Sequence, residues 1–430
     1  MKKRIQAVIA IIMILCMGLS GCGAAQTAQT AVGTPNEGSS TAADAATEDD
    51  NGVVQLTVWA EEANWDVLNQ MIESFKQEYA GEAEFEITLV QNADAETKNA
   101  LLGDIYNGAD IFPIADDQMS SLVAGGALAP IPNAEEVKTA NMEDAVAAAT
   151  VNDVLYAYPM TADNGYFMYY DKRYFTEEDL QTLDGMLAVA EASGKKISMD
   201  WSSGWYLYAF FGGTGLDFGI NEDSVTNHCN WNSADGAIKG TDIAEALLAI
   251  GAHPGFASMT DTDFMAGVQD GSVIAGVSGV WNEVEVRKAW GNNYGAIKLP
   301  TYTCAGQQIQ MTSFKGYKMM GVNYYSEHKD WALKLADWFT NEQNQALRLS
   351  ERSQGPSNKN AAASDALNEV PAIQAVIAQS EYGVLQRVGN SYWDAMTEFG
   401  GIMASGNPTG KDLQEIMDTM VAGITASSVQ

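Results

Sequence analysis

Residues 53–60 read VVQLTVWA and lead through Glu61-Glu62-Ala63-Asn64 into Trp65, Leu68, Ile72, Phe75 and Tyr79 at three- and four-residue spacing. The β-branched and aromatic run predicts a strand; the spacing after it predicts an amphipathic helix with Asn64 as its N-cap. Residues 85–90 predict a second strand, 93–107 a second helix and 110–115 a third strand. A strand that returns through a helix to the same sheet edge runs parallel to its predecessor, so the opening β-α-β-α-β pattern makes the class α/β. Open sheets of this kind bind ligands at the loops that follow their strands.

The alternation loosens over 154–171, where VLYAYP and YFMYYDK form two short strand-like runs flanking Thr161-Ala162-Asp163-Asn164, and a crossover between lobes is expected there. Helices are expected at 177–193, 205–212, 241–251 and 261–270, and strands at 273–277, 294–299 and 315–322. The last third reads as helical, with apolar periodicity over 329–340, 343–349, 371–378, 392–403 and 412–425. No repeat of solenoid period occurs.

At the other end, Lys2, Lys3 and Arg4 precede an apolar run from Ile5 to Leu19 and then Leu19-Ser20-Gly21-Cys22. Basic, apolar and small-residue regions in that order predict a secretory signal peptide over 1–22. The ending is a lipobox, with cleavage before Cys22 and an acyl anchor on its thiol. The apolar run falls short of the ~20 residues a membrane-crossing helix needs. Residues 23–52 are almost entirely small and polar, with no aromatic side chain to bury, and predict a flexible tether.

The formal charge of -33 becomes more negative once the three basic residues of the leader are removed. Such a surface repels nucleic acid and anionic headgroups, which excludes both as partners and leaves membrane contact to the lipid anchor alone. With Cys16 in the leader and Cys22 acylated, only Cys229 and Cys304 remain in the body. A disulfide and two free thiols are both open, since nothing in the sequence sets their distance. His228, His253 and His328 lack metal-binding spacing, and no G-x-S-x-G occurs. The acid pairs Glu61/Glu62 and Asp116/Asp117 are adjacent, so on a strand they face opposite ways, which suits no glycosidase pair. The expectation is a binder without catalytic residues, metal or cofactor. An extracellular enzyme and a sensing module that serves no transporter are the alternatives.

Several short motifs carry a resemblance. Leu155-Tyr156-Ala157-Tyr158-Pro159, Tyr169-Tyr170-Asp171-Lys172, Asp270-Gly271-Ser272-Val273 through Ser278-Gly279-Val280-Trp281, and Leu299-Pro300-Thr301 follow one another in the chain. Residues 316–323, Thr340-Asn341-Glu342 and Asn390-Ser391-Tyr392-Trp393 complete the series. From about Val53 to its end the chain resembles the maltose/maltodextrin-binding branch of the extracellular solute-binding proteins that serve ABC sugar transporters. The resemblance implies a two-lobed periplasmic-binding-protein-like fold, with a ligand cleft between the lobes and crossing hinge strands. It divides the body into 53–162 with 320–367 and 163–319 with 368–430. It further implies a monomer, lipid-anchored on the extracytoplasmic face of the cell membrane, that captures an oligosaccharide and delivers it to permease subunits.

A pyranose presents a flat C–H face and a rim of hydroxyls, so its site needs aromatic plates and polar groups, each stacked ring contributing ~1 kcal/mol or more. Trp281 and Trp393 match positions where the family stacks tryptophan on sugar, and Trp205 matches an aromatic plate. Tyr392 adjoins Trp393, and Trp201 is the substitute for Trp205. For each the alternative is burial for area. For the hydroxyl rim, Asp117 matches a family carboxylate, with Asp116 as its neighbour. Glu61 or Glu62 follows the first strand, with Glu62 the expected contact, and Asp163 stands in the first crossover. Where the family has a tryptophan and an arginine flanking the Asp117 position, this chain has Ile114 and Gln118. One plate and one charged donor are thus missing, and the expectation moves from maltose to a malto-oligosaccharide.

Overall fold

A computed structural model describes residues 52–223, 225–365, 367 and 370–427. The leader, Cys22 and most of the tether lie outside the described residues.

The opening pattern folds as the alternation predicts. Val53–Ala60 lies parallel to Glu84–Gln91, with Val53 opposite Glu84 and Ala60 opposite Gln91. It lies parallel also to Ile111–Ala115. The first sheet runs Gly383–Leu385, Ser313–Val322, Ile111–Ala115, Val53–Ala60, Glu84–Gln91, and Ala157–Gly165 also pairs with Ser313–Val322. A second sheet runs Phe256–Ser258, Lys196–Met199, Val273–Ser278, Phe167–Asp171, Tyr294–Ile297.

Each sheet has its own core. Val58, Leu68, Phe75, Ile114 and Phe339 are buried around the first. Trp201, Phe210, Leu247, Met396 and Met417 pack on one side of the second, and Phe264, Val273, Trp290 and Ile373 on the other. Two separately cored sheets make two lobes, joined where strands cross. Ala157–Gly165 belongs to the first sheet, and after Tyr166 the chain enters the second at Phe167.

The crossover departs from expectation. Residues 161–164 do not separate two short strands; they lie inside the nine-residue strand Ala157–Gly165. Their polar side chains are tolerated because the backbone stays paired, Thr161 with Lys318 and Asn164 with Gly316. The helix expected over 93–107 shortens to Thr97–Gly103 behind a 3-10 turn, Asp94–Glu96, which turns Asp94 inward. Asn64 precedes the helix Trp65–Glu78, but its side chain caps nothing in it and accepts from Gln354 Nε2 at 3.3 Å. Short strands such as Lys196–Met199 and Phe256–Ser258 were not expected: three or four residues offer no period to read. Cys229 and Cys304 are free thiols, and burial pushes them up to about 12 and about 11. Among the described residues no helix is long and apolar enough to cross a membrane.

Candidate functional site

The turns that follow the strands of both sheets supply the polar and aromatic groups of the cleft. In the second lobe Val273–Ser278 ends in Gly279 and a 3-10 turn, Val280–Asn282, that presents Trp281. A Cβ on Gly279 would lie 2.0 Å from the Trp281 ring, so only glycine lets the indole fold back over the turn. The indole N–H donates to Asp261 Oδ2 at 3.1 Å. Trp205, at the start of Gly204–Leu207, stands 5.7 Å from Trp281 between ring centroids and donates to Gln386 Oε1 at 2.8 Å. The two indoles are half-buried and tilted 41° to each other. Trp393 is half-buried too, 6.2 Å from Phe314 on the crossing strand Ser313–Val322.

The first lobe supplies charge. Lys318, from the same crossing strand, places Nζ 2.7 Å from Asp94 Oδ2 and 5.6 Å from the Trp281 ring centroid. Asp94, Glu61 and Asp163 hold its ammonium above the ordinary lysine range against desolvation. Glu61 is raised by burial and by Asp94. Asp117 is raised to about 6 by burial, opposed by Lys98 and a hydrogen bond from Gln386. Asp116 is raised to about 8 by burial and the Asp117 charge, with Arg387 opposing. Neither Asp116 oxygen, nor Asp117 Oδ1, has a close hydrogen-bond partner among the described residues. Contacts also span the lobes. Lys98 Nζ donates to Asn390 Oδ1 at 3.1 Å, and Arg352 reaches the Trp281 carbonyl and Glu285, each at 3.5 Å.

Trp281 and Trp205 come together, Gln386 links Trp205 to Asp117, and Trp393 lies beside the crossing strand. One other expectation is corrected. Tyr392 is fully buried and its hydroxyl donates to Gly204 O at 2.8 Å, so this ring belongs to the core. Glu62 is exposed, and Glu61 is the one turned toward Asp94 and Lys318. Asp163, 4% exposed, accepts from the Gly355 backbone N–H and lines a cavity with Asn164, Lys315 and Tyr317. Trp201 lies in the second core. Ile114 is buried in the first core, and Gln118 donates to the carbonyls of Asp94 and Ala95 at 3.0 and 3.2 Å, fixing the turn that carries Asp94. Asp94, Lys318, Arg352 and Gln386 went unread in the sequence. Only Lys318 left a signal, a lysine inside the otherwise apolar run KMMGV. Among the described residues no cluster of histidine, cysteine and acids is arranged to hold a metal.

A family model described as bacterial extracellular solute-binding protein matches residues 70–375, most of the chain. The chain belongs to this family. It is 25% identical over 339 residues to a galactooligosaccharide-binding protein of Bacillus subtilis (strain 168), covering 76% of this chain and 78% of that one. It is also 25% identical over 342 residues to a maltooligosaccharide ABC transporter solute-binding lipoprotein of Streptococcus pneumoniae (strain ATCC BAA-255 / R6), covering 75% and 77%. A solved structure with acarbose superposes at TM-score 0.78 with 28% identity, covering 87% of this chain and 99% of that one. A maltodextrin binding protein from L. casei BL23, without ligand, shares the fold at TM-score 0.72 and 23% identity, with 88% and 100% covered.

Proposed function

We propose that this solute-binding protein captures a neutral oligosaccharide, malto-oligosaccharide before others, and delivers it to the permease subunits of an ABC transporter. The observation that carries the reading is a pairing of plates with charge: two indoles lie 5.7 Å apart, and one of them, Trp281, faces Lys318, whose partner is Asp94. Plates of this kind take the C–H faces of a pyranose, and acids with open acceptor sites take its hydroxyls. The relatives' names, one for maltooligosaccharide and one for galactooligosaccharide, support a sugar ligand. The second name, together with Ile114 in place of a family tryptophan, makes galacto-oligosaccharide the alternative ligand.

Two bodies, expected at 53–162 with 320–367 and at 163–319 with 368–430, are proposed to close on the sugar about the crossing strands Ala157–Gly165 and Ser313–Val322, which hold Asp163, Phe314 and Lys318 and stay paired in the first sheet. The protein acts as a monomer held at the extracytoplasmic membrane face through Cys22. No catalytic step is assigned to it, because adjacent acids such as Asp116 and Asp117 do not flank a bond as a glycosidase pair does. Calorimetry with α-glucan and galactoside oligosaccharides tests the reading. Saturable binding with the sugar recovered intact is expected; no binding across the panel overturns the function, and consumption of the sugar overturns the passive role.

A further inference from the structure

Below the Lys318–Asp94 pair the first lobe contains a cavity of about 20 Å³, lined among others by Trp59, Asn64, Asp94, Lys318, Arg348 and Gln354. That is room for one group the size of a water molecule. Arg348, from the helix Glu342–Arg352, is only 2% exposed, yet its Nε and Nη2 have no hydrogen-bond partner among the described residues. Burial lowers the guanidinium to about 10, with Asp94 as the one charge that opposes the shift, so it stays cationic at neutral pH. Gln354 gives its Nε2 to Asn64 Oδ1 at 3.3 Å, which leaves a buried Oε1 that accepts nothing. Buried cationic donors without acceptors are costly, and native proteins rarely leave them so.

The open groups form a definite complement. Nε and Nη2 share one edge of the guanidinium and offer two donors, while Gln354 Oε1 offers one acceptor. An alcohol hydroxyl is the mirror image, with one O–H to donate and two lone pairs to receive. Lys318 connects this cavity to the cleft: it lines the cavity wall, and its ammonium lies over the Trp281 ring. Trp59, Asn64 and Gln354, which line it, are half-buried, unlike Arg348 at its inner wall.

We propose that this cavity is a single-hydroxyl subsite of the sugar cleft, in which one hydroxyl of the ligand donates to Gln354 Oε1 and accepts from the Nε/Nη2 edge of Arg348. The inference rests on the sugar-binding reading and sharpens it. A sugar ring is too large for the cavity, so what is read there is the presence and orientation of one hydroxyl. A site built to hydrogen-bond a hydroxyl discriminates strongly against the analogue lacking it, because its own polar groups are then left unpaired.

The test uses the mature protein, the tightest oligosaccharide found on the panel, and the set of its singly deoxygenated analogues, titrated into wild type and Gln354→Leu. On wild type, one analogue is expected to bind at least about tenfold more weakly than the parent, and the rest far less so. On Gln354→Leu the parent loses at least about tenfold, and that one analogue no longer differs from it. Arg348→Met is expected to repeat this loss of discrimination; if it does not fold, Gln354→Leu and the wild-type series decide alone. The subsite is overturned if no deoxygenation stands out on wild type, if Gln354→Leu binds the parent normally, or if it weakens parent and all analogues equally, which is a packing role. Wild type that binds no sugar overturns the functional reading and the subsite together; wild type that binds sugar with a flat analogue series overturns the subsite alone.

Discussion

Trp281 is held from several directions: Asp261 fixes its indole N–H, Gly279 lies under the ring, and Lys318 faces it. A plate so fixed loses little freedom on binding, so its stacking contribution reaches the ligand almost whole. Trp281→Ala and Trp393→Ala are each expected to weaken sugar binding about tenfold, roughly 1.4 kcal/mol, with calorimetric titration as the measure. Asp116 predicts a pH effect on stability. Its carboxyl is raised from 3.8 to about 8, so the folded state holds the proton more tightly than the unfolded chain. Its contribution is complete below about pH 4 and is lost as pH rises through about 8. Asp116→Asn keeps the shape and removes the charge, so thermal melts should show a midpoint raised by several degrees at pH 8.5 and unchanged at pH 4. An unchanged midpoint at both values contradicts the buried, proton-holding carboxyl.

At the scale of elements, the site depends on how strands end. Gly279 closes Val273–Ser278 with an ordinary extended backbone, so alanine is excluded there by the ring above it and not by φ. Gly279→Ala should therefore leave the sheet intact and push the indole off its seat, cutting sugar affinity by more than about tenfold while far-UV circular dichroism stays unchanged. Long elements were legible because their period runs for many residues: Asp261–Asp270 and Lys329–Thr340 fall where the apolar spacing puts them. The strand through Thr161–Asn164 was not legible, since its polar residues are stabilised by pairing with a segment about 150 residues away in the chain. The late start of the second helix has the same origin: Asp94 is drawn inward by Lys318, 224 positions further along the chain.

The whole molecule couples two cored sheets through crossing strands, and the proposed ligand groups are divided between them. Lys98 to Asn390 and Arg352 to Trp281 are contacts that the proposed opening of the cleft would break and closure restore. The address is a property of the full chain as well. Cys22→Ala is expected to move the protein from the membrane fraction to the soluble one, by fractionation and immunoblot, with sugar affinity unchanged; persistent membrane attachment contradicts the acyl anchor.

What the chain determines alone is what near neighbours can specify: the α/β alternation of the first lobe, and a short set of candidate tryptophans with Asp117 at a strand end. Whether Glu61 or Glu62 turns inward, why Tyr392 is core, and how Lys318, Arg348 and Gln354 meet Asp94 were decided only by tertiary structure. The physical reason is range. Periodicity and turn chemistry act over a few residues, whereas a cleft is assembled from segments such as Lys98 and Asn390, 292 positions apart, whose meeting depends on the packing of both cores.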